Sequence, residues 1–254
     1  MLRNAKRQLK HFGKRWRNVL FDISILCPTK YRHNELERMW TSALNTSTNP
    51  EKIELVLYIE NYDTETLQLV EKLRVEYGNA INDTTATYEV IYSDLHNICC
   101  KNCTADIFMC AADDLIFRTD EWDVRVKELF DSSEDKIMYA YPNDGHWGEE
   151  LGTHGFFHKR WFDTLGYILP PIFTVDYSDN YLMDVSRSLN RSVYMEDVVV
   201  EHMHWTFGKS QFDITAQEAH VRRQSTNNAA LYNSEDTQNC QKNDINKLKN
   251  IMKN

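Results

Sequence analysis

Two adjacent carboxylates follow an apolar segment near the middle of the chain. Asp113 and Asp114 come directly after the run Ile107 to Ala112, which is typical of a buried strand. Mg²⁺ and Mn²⁺ prefer oxygen ligands and are usually held by one or two carboxylates together with substrate phosphates. A metal held there could offset the charge of a pyrophosphate and ease departure of a nucleoside diphosphate. A strand-ending aspartate also commonly stabilises a turn, so this segment alone leaves both roles open.

A pair of histidines with alternate spacing follows the last predicted strand. His202 and His204 are two residues apart, so both imidazoles share one face of an extended chain. Histidine is a common ligand of transition metals, and a nitrogen ligand favours Mn²⁺ over Mg²⁺. A purely structural role for the pair remains the alternative.

The elements around these residues alternate between strands and helices. Apolar, β-branched runs predict strands at Phe21 to Cys27, Ile53 to Ile59, Tyr88 to Tyr92, Ile107 to Ala111, Ile137 to Tyr141 and Val193 to Glu201. Helical periodicity lies between most of them, and Asn34 with Glu37 forms a possible capping box for the first helix. This order predicts a doubly wound, mostly parallel Rossmann-like α/β sheet, in which ligands bind beyond the carboxyl ends of the strands.

The amino-acid composition limits the classes of protein to which this chain can belong. A chain of 254 residues with 42% hydrophobic residues can bury one large core, and a formal net charge of -9 argues against a nucleic-acid partner. Six cysteines do not form a disulfide-like pattern, which favours a reducing, cytoplasmic location. His96, Cys99, Cys100 and Cys103 raise a zinc site only weakly, because a second ligand pair at finger-like spacing is missing.

The ends of the chain differ from its centre. Residues 1–20 combine an apolar stripe with seven basic residues and no acidic ones, which fits either peripheral contact with an anionic membrane or a helix packed on its own domain. Residues 21–222 form the predicted domain, divided into halves 21–120 and 121–222. Residues 223–254 are polar with few apolar anchors, so we expect a mobile tail or a marginal helix.

The first strand and the carboxylate pair together carry a family resemblance. Ile23-Ser24-Ile25-Leu26-Cys27-Pro28-Thr29-Lys30-Tyr31-Arg32, then a helix, a second strand and Asp113-Asp114, resemble the GT-A glycosyltransferases, especially the inverting family-2 type. The likeness in element order covers roughly residues 21–207. It implies a Mn²⁺- or Mg²⁺-dependent enzyme that moves a sugar from a nucleotide-sugar donor to a saccharide or other hydroxyl acceptor, with inversion.

The resemblance also implies roles for residues of the donor site. Pro28, Thr29 and Arg32 would line the base pocket, and Asp63 would contact the base or ribose while also capping the next helix. Ala111 stands where many family members have the first aspartate of a DxD motif. Asp113 then becomes the implied metal ligand, completed by His202 and His204, and Asp114 a donor contact.

An inverting transfer needs a general base for the acceptor hydroxyl. By resemblance, Asp179 and Asp176 lie at the helix start where the family places it, although helix-start aspartates are usually caps. We prefer Asp179 because Ser178 can cap the helix itself. Residues suited to form the acceptor wall are Trp147, Glu149, His154 and Gly155.

Two other functions remain open at this point. A sugar-phosphate nucleotidyltransferase would ordinarily carry a Gly-rich phosphate loop, and the Pro28 to His33 loop has no glycine. A non-catalytic carbohydrate- or nucleotide-binding module on the same fold is kept open by Ala111.

Overall fold

The computed structural model describes residues 20–86 and 90–252. Its strands are β1 (Ile23–Thr29), β2 (Ile53–Glu60), β3 (Ile81–Ala86), β4 (Ile107–Cys110), β5 (Leu115–Phe117), β6 (Tyr139–Asn143), β7 (Phe156–His158) and β8 (Ser192–His202). Its α-helices are α1 (His33–Thr46), α2 (Thr64–Tyr77), α3 (Tyr92–Lys101), α4 (Trp122–Asp131), α5 (Lys159–Leu165), α6 (Ser178–Ser188), α7 (Ile214–Ser225), α8 (Asn228–Tyr232) and α9 (Glu235–Ile251).

The strands form one sheet in the order β3-β2-β1-β4-β7-β6-β8-β5. Neighbours among β3, β2, β1 and β4 are parallel, whereas β7 is antiparallel to both β4 and β6. β6 and β8 are parallel, and β5 is antiparallel to β8. The predicted doubly wound, mostly parallel α/β sheet is confirmed.

The core lies on both faces of this sheet. β2 is buried along almost its whole length, which explains why it is apolar at every position from Leu55 to Ile59 rather than alternating. One cluster packs α1, α2 and α4 on the first face. The second cluster packs α3, α5, α6 and α9 on the other.

Several elements differ from the sequence-based expectation. A strand is found at Ile81–Ala86, and Tyr92, which was predicted to end a strand at Tyr88 to Tyr92, instead begins α3. Residues 88 and 89 of that predicted strand lie outside the described residues. β3 is an edge strand whose side chains are largely polar, so it lacks the apolar run expected of a buried strand. The capping box at Asn34 and Glu37 is absent, because α1 begins after Arg32 with no side-chain cap.

The two ends of the chain have different outcomes. Residues 1–19, which hold nearly all of the predicted basic segment, lie outside the described residues. Within 223–254, where we expected a mobile tail or a marginal helix, the chain forms α8 and the 17-residue α9. Leu248 and Asp244 of α9 are completely buried. Among the residues that the structure describes, no helix is long and apolar enough to cross a membrane.

Candidate functional site

Arg32 connects the loop after β1 to three carboxylates. Its Nη1 lies 3.1 Å from Oδ1 of Asp113 and 3.5 Å from Oδ2 of Asp114. Its Nε and Nη2 donate to Asp213 at 2.7 and 3.0 Å. The Thr29 hydroxyl donates to the other oxygen of Asp113 at 2.8 Å. The carboxyl ends of β1 and β4 therefore meet, as a parallel sheet requires.

Asp114 contacts the end of β8 in addition to Arg32 in the loop after β1. Its Oδ1 is 3.3 Å from Nε2 of His202, because the antiparallel pairing of β5 with β8 sets Leu115 opposite His202. The backbone reinforces this contact, with the Met203 N–H donating to the Asp114 carbonyl at 2.9 Å. The Asp114–His202 pair is thus built into the sheet.

The two neighbouring aspartates differ in their acidity. Burial raises the pKa of Asp113 to about 7, against the opposing charge of Arg32. Burial alone would also raise the pKa of Asp114, but the hydrogen bond and charge of His202 bring it below its ordinary value. Asp114 is therefore the carboxylate of the pair that stays ionised.

Two further imidazoles border this pair. The ring centroid of His154 lies 4.7 Å from that of His202, and the ring centroid of His204 lies 5.1 Å from it. Burial lowers the pKa of His154 to about 3 and that of His204 to about 4. Both rings are therefore neutral, which is the form in which histidine binds metals.

These side chains offer only part of a coordination shell. Within residues 20–86 and 90–252, no group of three or more His, Cys, Asp and Glu side chains is arranged to hold a metal. Both oxygens of Asp113 already accept hydrogen bonds from Thr29 and Arg32, and Nδ1 of His204 is 2.8 Å from the Thr206 hydroxyl. The buried Nδ1 of His202 has no hydrogen-bond partner. An ionised carboxylate beside an imidazole suits Mn²⁺, provided that substrate phosphates supply the remaining ligands.

The weak zinc motif does not form a site. His96 Nε2 lies 2.9 Å from the Ala111 carbonyl, and the Cys103 thiol donates to the Cys100 carbonyl. Cys99 is buried in the core beside them. These residues serve packing and local hydrogen bonding.

Asp63 is the N-cap of α2, as expected. One of its oxygens accepts from the Thr66 N–H at 3.2 Å, and the other accepts from the Tyr31 N–H at 2.5 Å. The carboxylate thereby fixes the loop after β1 against the end of β2. Pro28 lies within β1 opposite Tyr58, one residue before Thr29.

Several residues at this edge of the sheet were not predicted from the sequence. Tyr31 and Tyr62 are half-exposed neighbours with ring centroids 6.1 Å apart, and the Lys30 ammonium lies 5.4 Å from each. Asp213 was also missed, because an aspartate before a helix is typical of a cap. It does cap α7, accepting from the Ala216 N–H at 2.8 Å, while it also binds Arg32. No sequence signal distinguishes the second role.

The residues predicted for the acceptor wall do not all face the same space. Trp147 is 41% exposed, and the buried Asp144 fixes its loop by accepting from the Trp147 N–H at 2.8 Å. The Glu149 side chain is exposed, while its carbonyl accepts from Tyr141. Gly155 packs against the Tyr139 ring in the core, where a Cβ would overlap it.

The two candidate bases have different surroundings. Asp179 lies in the first turn of α6, and burial raises its pKa to about 7, with the negative charges of Asp176 and Asp144 adding to the effect and His202 opposing it. Asp176 is paired with Arg223, whose Nε is 3.0 and 3.1 Å from its two oxygens. Asp184, further along α6, accepts from Tyr232.

Ser178 does not cap α6, contrary to the prediction from the sequence. The helix begins at Ser178, its N-cap is Tyr177 in a left-handed conformation, and no side chain caps it. Asp179 is nevertheless free of the capping role, because an aspartate one residue into the helix is past the N-cap position.

No family model matches this sequence, and no curated protein sequence matches it. Solved structures do. A mannosyltransferase from Pyrobaculum calidifontis, in complex with GDP-Man and Mn²⁺, matches with a TM-score of 0.59 at 15% identity, over 78% of this chain and 64% of that one. TarS 1–349 from S. aureus matches with a TM-score of 0.57 at 12% identity, over 91% of this chain and 71% of that one.

The chain has the GT-A glycosyltransferase fold. TarS 1–349 in complex with UDP-GlcNAc matches over 71% of this chain and 57% of that one, at 13% identity and a TM-score of 0.55. The chain therefore spans less than two thirds of the mannosyltransferase and of this TarS complex. At such identities the likeness establishes the fold, and the residues of the site must support the chemistry.

Proposed function

We propose that this chain is a metal-dependent glycosyltransferase that moves a sugar from a nucleotide-sugar donor to a hydroxyl acceptor with inversion. The observation that carries the proposal is the meeting of Arg32, the Asp113–Asp114 pair and His202 at the carboxyl ends of β1, β4 and β8 in a GT-A sheet. Ligands of open α/β sheets bind at this edge. Two of the solved structures that share the fold are complexes with GDP-Man or UDP-GlcNAc.

The donor diphosphate would lie beside Asp114 and His202. We assign the metal to these two side chains, with phosphate oxygens completing its coordination, since Asp113 is engaged by Thr29 and Arg32. A divalent cation bound there would offset the charge of the departing nucleoside diphosphate. The mannosyltransferase with this fold contains Mn²⁺ with its donor.

The acceptor would approach from the side of α6. Asp179 would take the proton of the acceptor hydroxyl while that oxygen forms a bond to the anomeric carbon. The bond from this carbon to the diphosphate oxygen breaks on the opposite face, and the nucleoside diphosphate leaves with the electron pair. A carboxyl group with a pKa of about 7 suits this role because it is both partly ionised and basic at neutral pH.

Donor turnover provides the direct test. The full-length chain should release UDP or GDP from one member of a panel of UDP- and GDP-sugars, and should do so only with Mn²⁺ or Mg²⁺. Product anomers assigned by NMR then distinguish inversion from retention. A chain that binds saccharides or nucleotides but never breaks the donor bond is instead a binding module. Release of sugar 1-phosphate rather than nucleoside diphosphate would identify a nucleotidyltransferase.

The cellular location belongs to the same proposal. The abundance of unpaired cysteines, all six free in the structure, fits a cytoplasmic enzyme. The basic residues of segment 1–20 would provide peripheral contact with an anionic membrane.

A further inference from the structure

Side chains of the C-terminal helices α8 and α9 contact helix α6 and the loop that leads into it. Asp244 of α9 is completely buried, and its two oxygens accept hydrogen bonds from the Tyr167 hydroxyl at 2.8 Å and the Tyr181 hydroxyl at 2.7 Å. Tyr181 lies on α6, two residues after Asp179. A buried carboxylate with both oxygens hydrogen-bonded is costly to disrupt, because each lost partner leaves a buried polar group unpaired.

Three other contacts bind the C-terminal segment to the same region. The Tyr232 ring stacks on Tyr177, the N-cap of α6, with centroids 5.0 Å apart. The Tyr232 hydroxyl also donates to Asp184, in the middle of α6. Ahead of the helix, the Thr174 hydroxyl donates to Asn228 at 3.1 Å. The segment therefore contacts α6 and the loop that leads into it at four positions between residues 174 and 184.

None of these contacts uses the carboxylate of Asp179. They hold the backbone of α6, on which Asp179 lies, while the charges of His202, Asp176 and Asp144 act on the pKa of its carboxyl group. These contacts can therefore fix the position of Asp179 without pairing its carboxylate with a positive charge.

We propose that Asp244 is a positioning residue that acts through Tyr181 to hold α6, and thereby Asp179, against the acceptor. This inference rests on the proposed function, because Asp179 needs accurate placement only if it takes a proton from an acceptor. A displacement of about 1 Å in a reacting group can lower the rate by about a hundredfold. The effect should fall on turnover, since the donor site is built from β1, β4 and β8 rather than from α6.

The test uses full-length Asp244→Ala, Asp244→Asn and Tyr181→Phe, the last of which removes only a hydroxyl. Asp123→Ala is the matched control: Asp123 is also buried and both of its oxygens also accept hydrogen bonds, from the backbone of Thr48 and Asn49 and from the Asn49 side-chain amide, near the amino end of β2. We expect kcat to fall at least about tenfold in Asp244→Ala and less in Asp244→Asn, with the donor KM within threefold of the parent. Asp123→Ala should lose thermal stability and keep its kcat.

Hydrogen exchange separates failure of this inference from failure of the proposed function. Amides of residues 178–185 should exchange faster in Tyr181→Phe and Asp244→Ala than in Asp123→Ala. Unchanged exchange there, a retained kcat in both Tyr181→Phe and Asp244→Ala, or an equal loss of kcat in Asp123→Ala would overturn the positioning role. If the parent turns over no donor at all, the proposed function fails, and the exchange data alone decide whether Asp244 holds α6.

Discussion

His202 Nε2 lies 3.3 Å from Oδ1 of Asp114, across the pair formed by β5 and β8. The contact joins a carboxylate from the middle of the chain to an imidazole 88 positions later in the sequence. This pair, rather than Asp113 with His204, is the part of the site where an ionised carboxylate and an imidazole are in contact.

Removing either member of this pair should weaken metal-dependent binding of the donor nucleotide. We expect Asp114→Ala and His202→Ala each to weaken Mn²⁺-dependent binding of UDP or GDP at least about tenfold by calorimetry, because each removes one of two protein ligands. His220→Ala, an exposed histidine on α7, is the control and should bind as the parent does. If Asp113→Ala alone removes the metal dependence, the sequence-based assignment of Asp113 is the correct one.

Asp179→Asn should retain donor affinity within a few-fold and lose turnover by at least about a hundredfold, because a missing general base typically costs about 10²–10⁴ in rate. Asp176→Asn should lose much less, since Arg223 neutralises that carboxylate. The measurement compares kcat on a competent acceptor with donor affinity in parallel. A larger loss in Asp176→Asn would exchange the two roles, and activity in both variants would place the base elsewhere.

The pH dependence of transfer should report the same group. Asp179 has a pKa of about 7, with Asp144 and Asp176 raising it, His202 lowering it, and the Tyr92 phenol in the same electrostatic environment. Because a protonated carboxyl cannot accept the proton, kcat should rise with pH, reach half of its maximum at about pH 7 and level off above about pH 8. A profile that is flat between pH 5 and 8 would contradict a role for Asp179 as base.

Stability should change with pH in the opposite direction. The folded-state pKa of Asp179 lies above its unfolded value of about 4, so the folded state binds the proton more tightly and its stability falls as pH rises between these values. Asp179→Asn removes this loss. Its thermal midpoint should exceed that of the parent more at pH 8 than at pH 5, which differential scanning calorimetry can measure.

Gly155→Ala should destabilise the fold rather than alter acceptor binding. The added methyl group would overlap the Tyr139 ring, which is 1% exposed and cannot move into solvent. Overpacking of this kind costs about 1–3 kcal/mol in the free energy of unfolding, which urea titration measures. An unchanged midpoint together with a raised acceptor KM would instead identify Gly155 as part of the acceptor wall.

Segment 1–20 should give salt-sensitive attachment to anionic vesicles, since each basic residue near such a surface contributes about 1 kcal/mol. Sedimentation with phosphatidylserine vesicles at low and high salt measures it. Deletion of the segment should abolish binding. Attachment that survives the deletion would assign the membrane contact to another surface.

The strands that could be predicted from the sequence are those in which consecutive residues are buried on both faces of the sheet. β1, β2 and β4 are largely apolar because both faces of the sheet are covered there, and Thr29 and Asp113, at and just after the ends of β1 and β4, form a hydrogen bond with each other. β3 was misplaced because an edge strand can be polar, and β5 and β7 were missed because they are only three residues long. Helix α9 is anchored by Asp244, a polar residue that gives no hydrophobic periodicity.

The sequence indicated which residues lie near the site better than it indicated which of them contact each other. The sequence indicates that Arg32 and His202 lie at the same edge, but not which carboxylate each of them faces. That choice depends on the register between β5 and β8, which no local pattern encodes. Asp213 is a second example, because its position before α7 predicts a helix cap and gives no indication that it also contacts Arg32.

The pairing of β5 with β8 also bears on how the chain acquires its site during synthesis. Asp114 leaves the ribosome well before His202, and Arg32 waits still longer for Asp213. Contacts between such distant segments form late and slowly, because the loops that they close carry a large entropic cost. A nascent chain that has completed β1, β2 and β4 already contains Asp113 together with its partners Thr29 and Arg32. By contrast, the Asp114–His202 and Arg32–Asp213 contacts cannot form until the last quarter of the protein has been made.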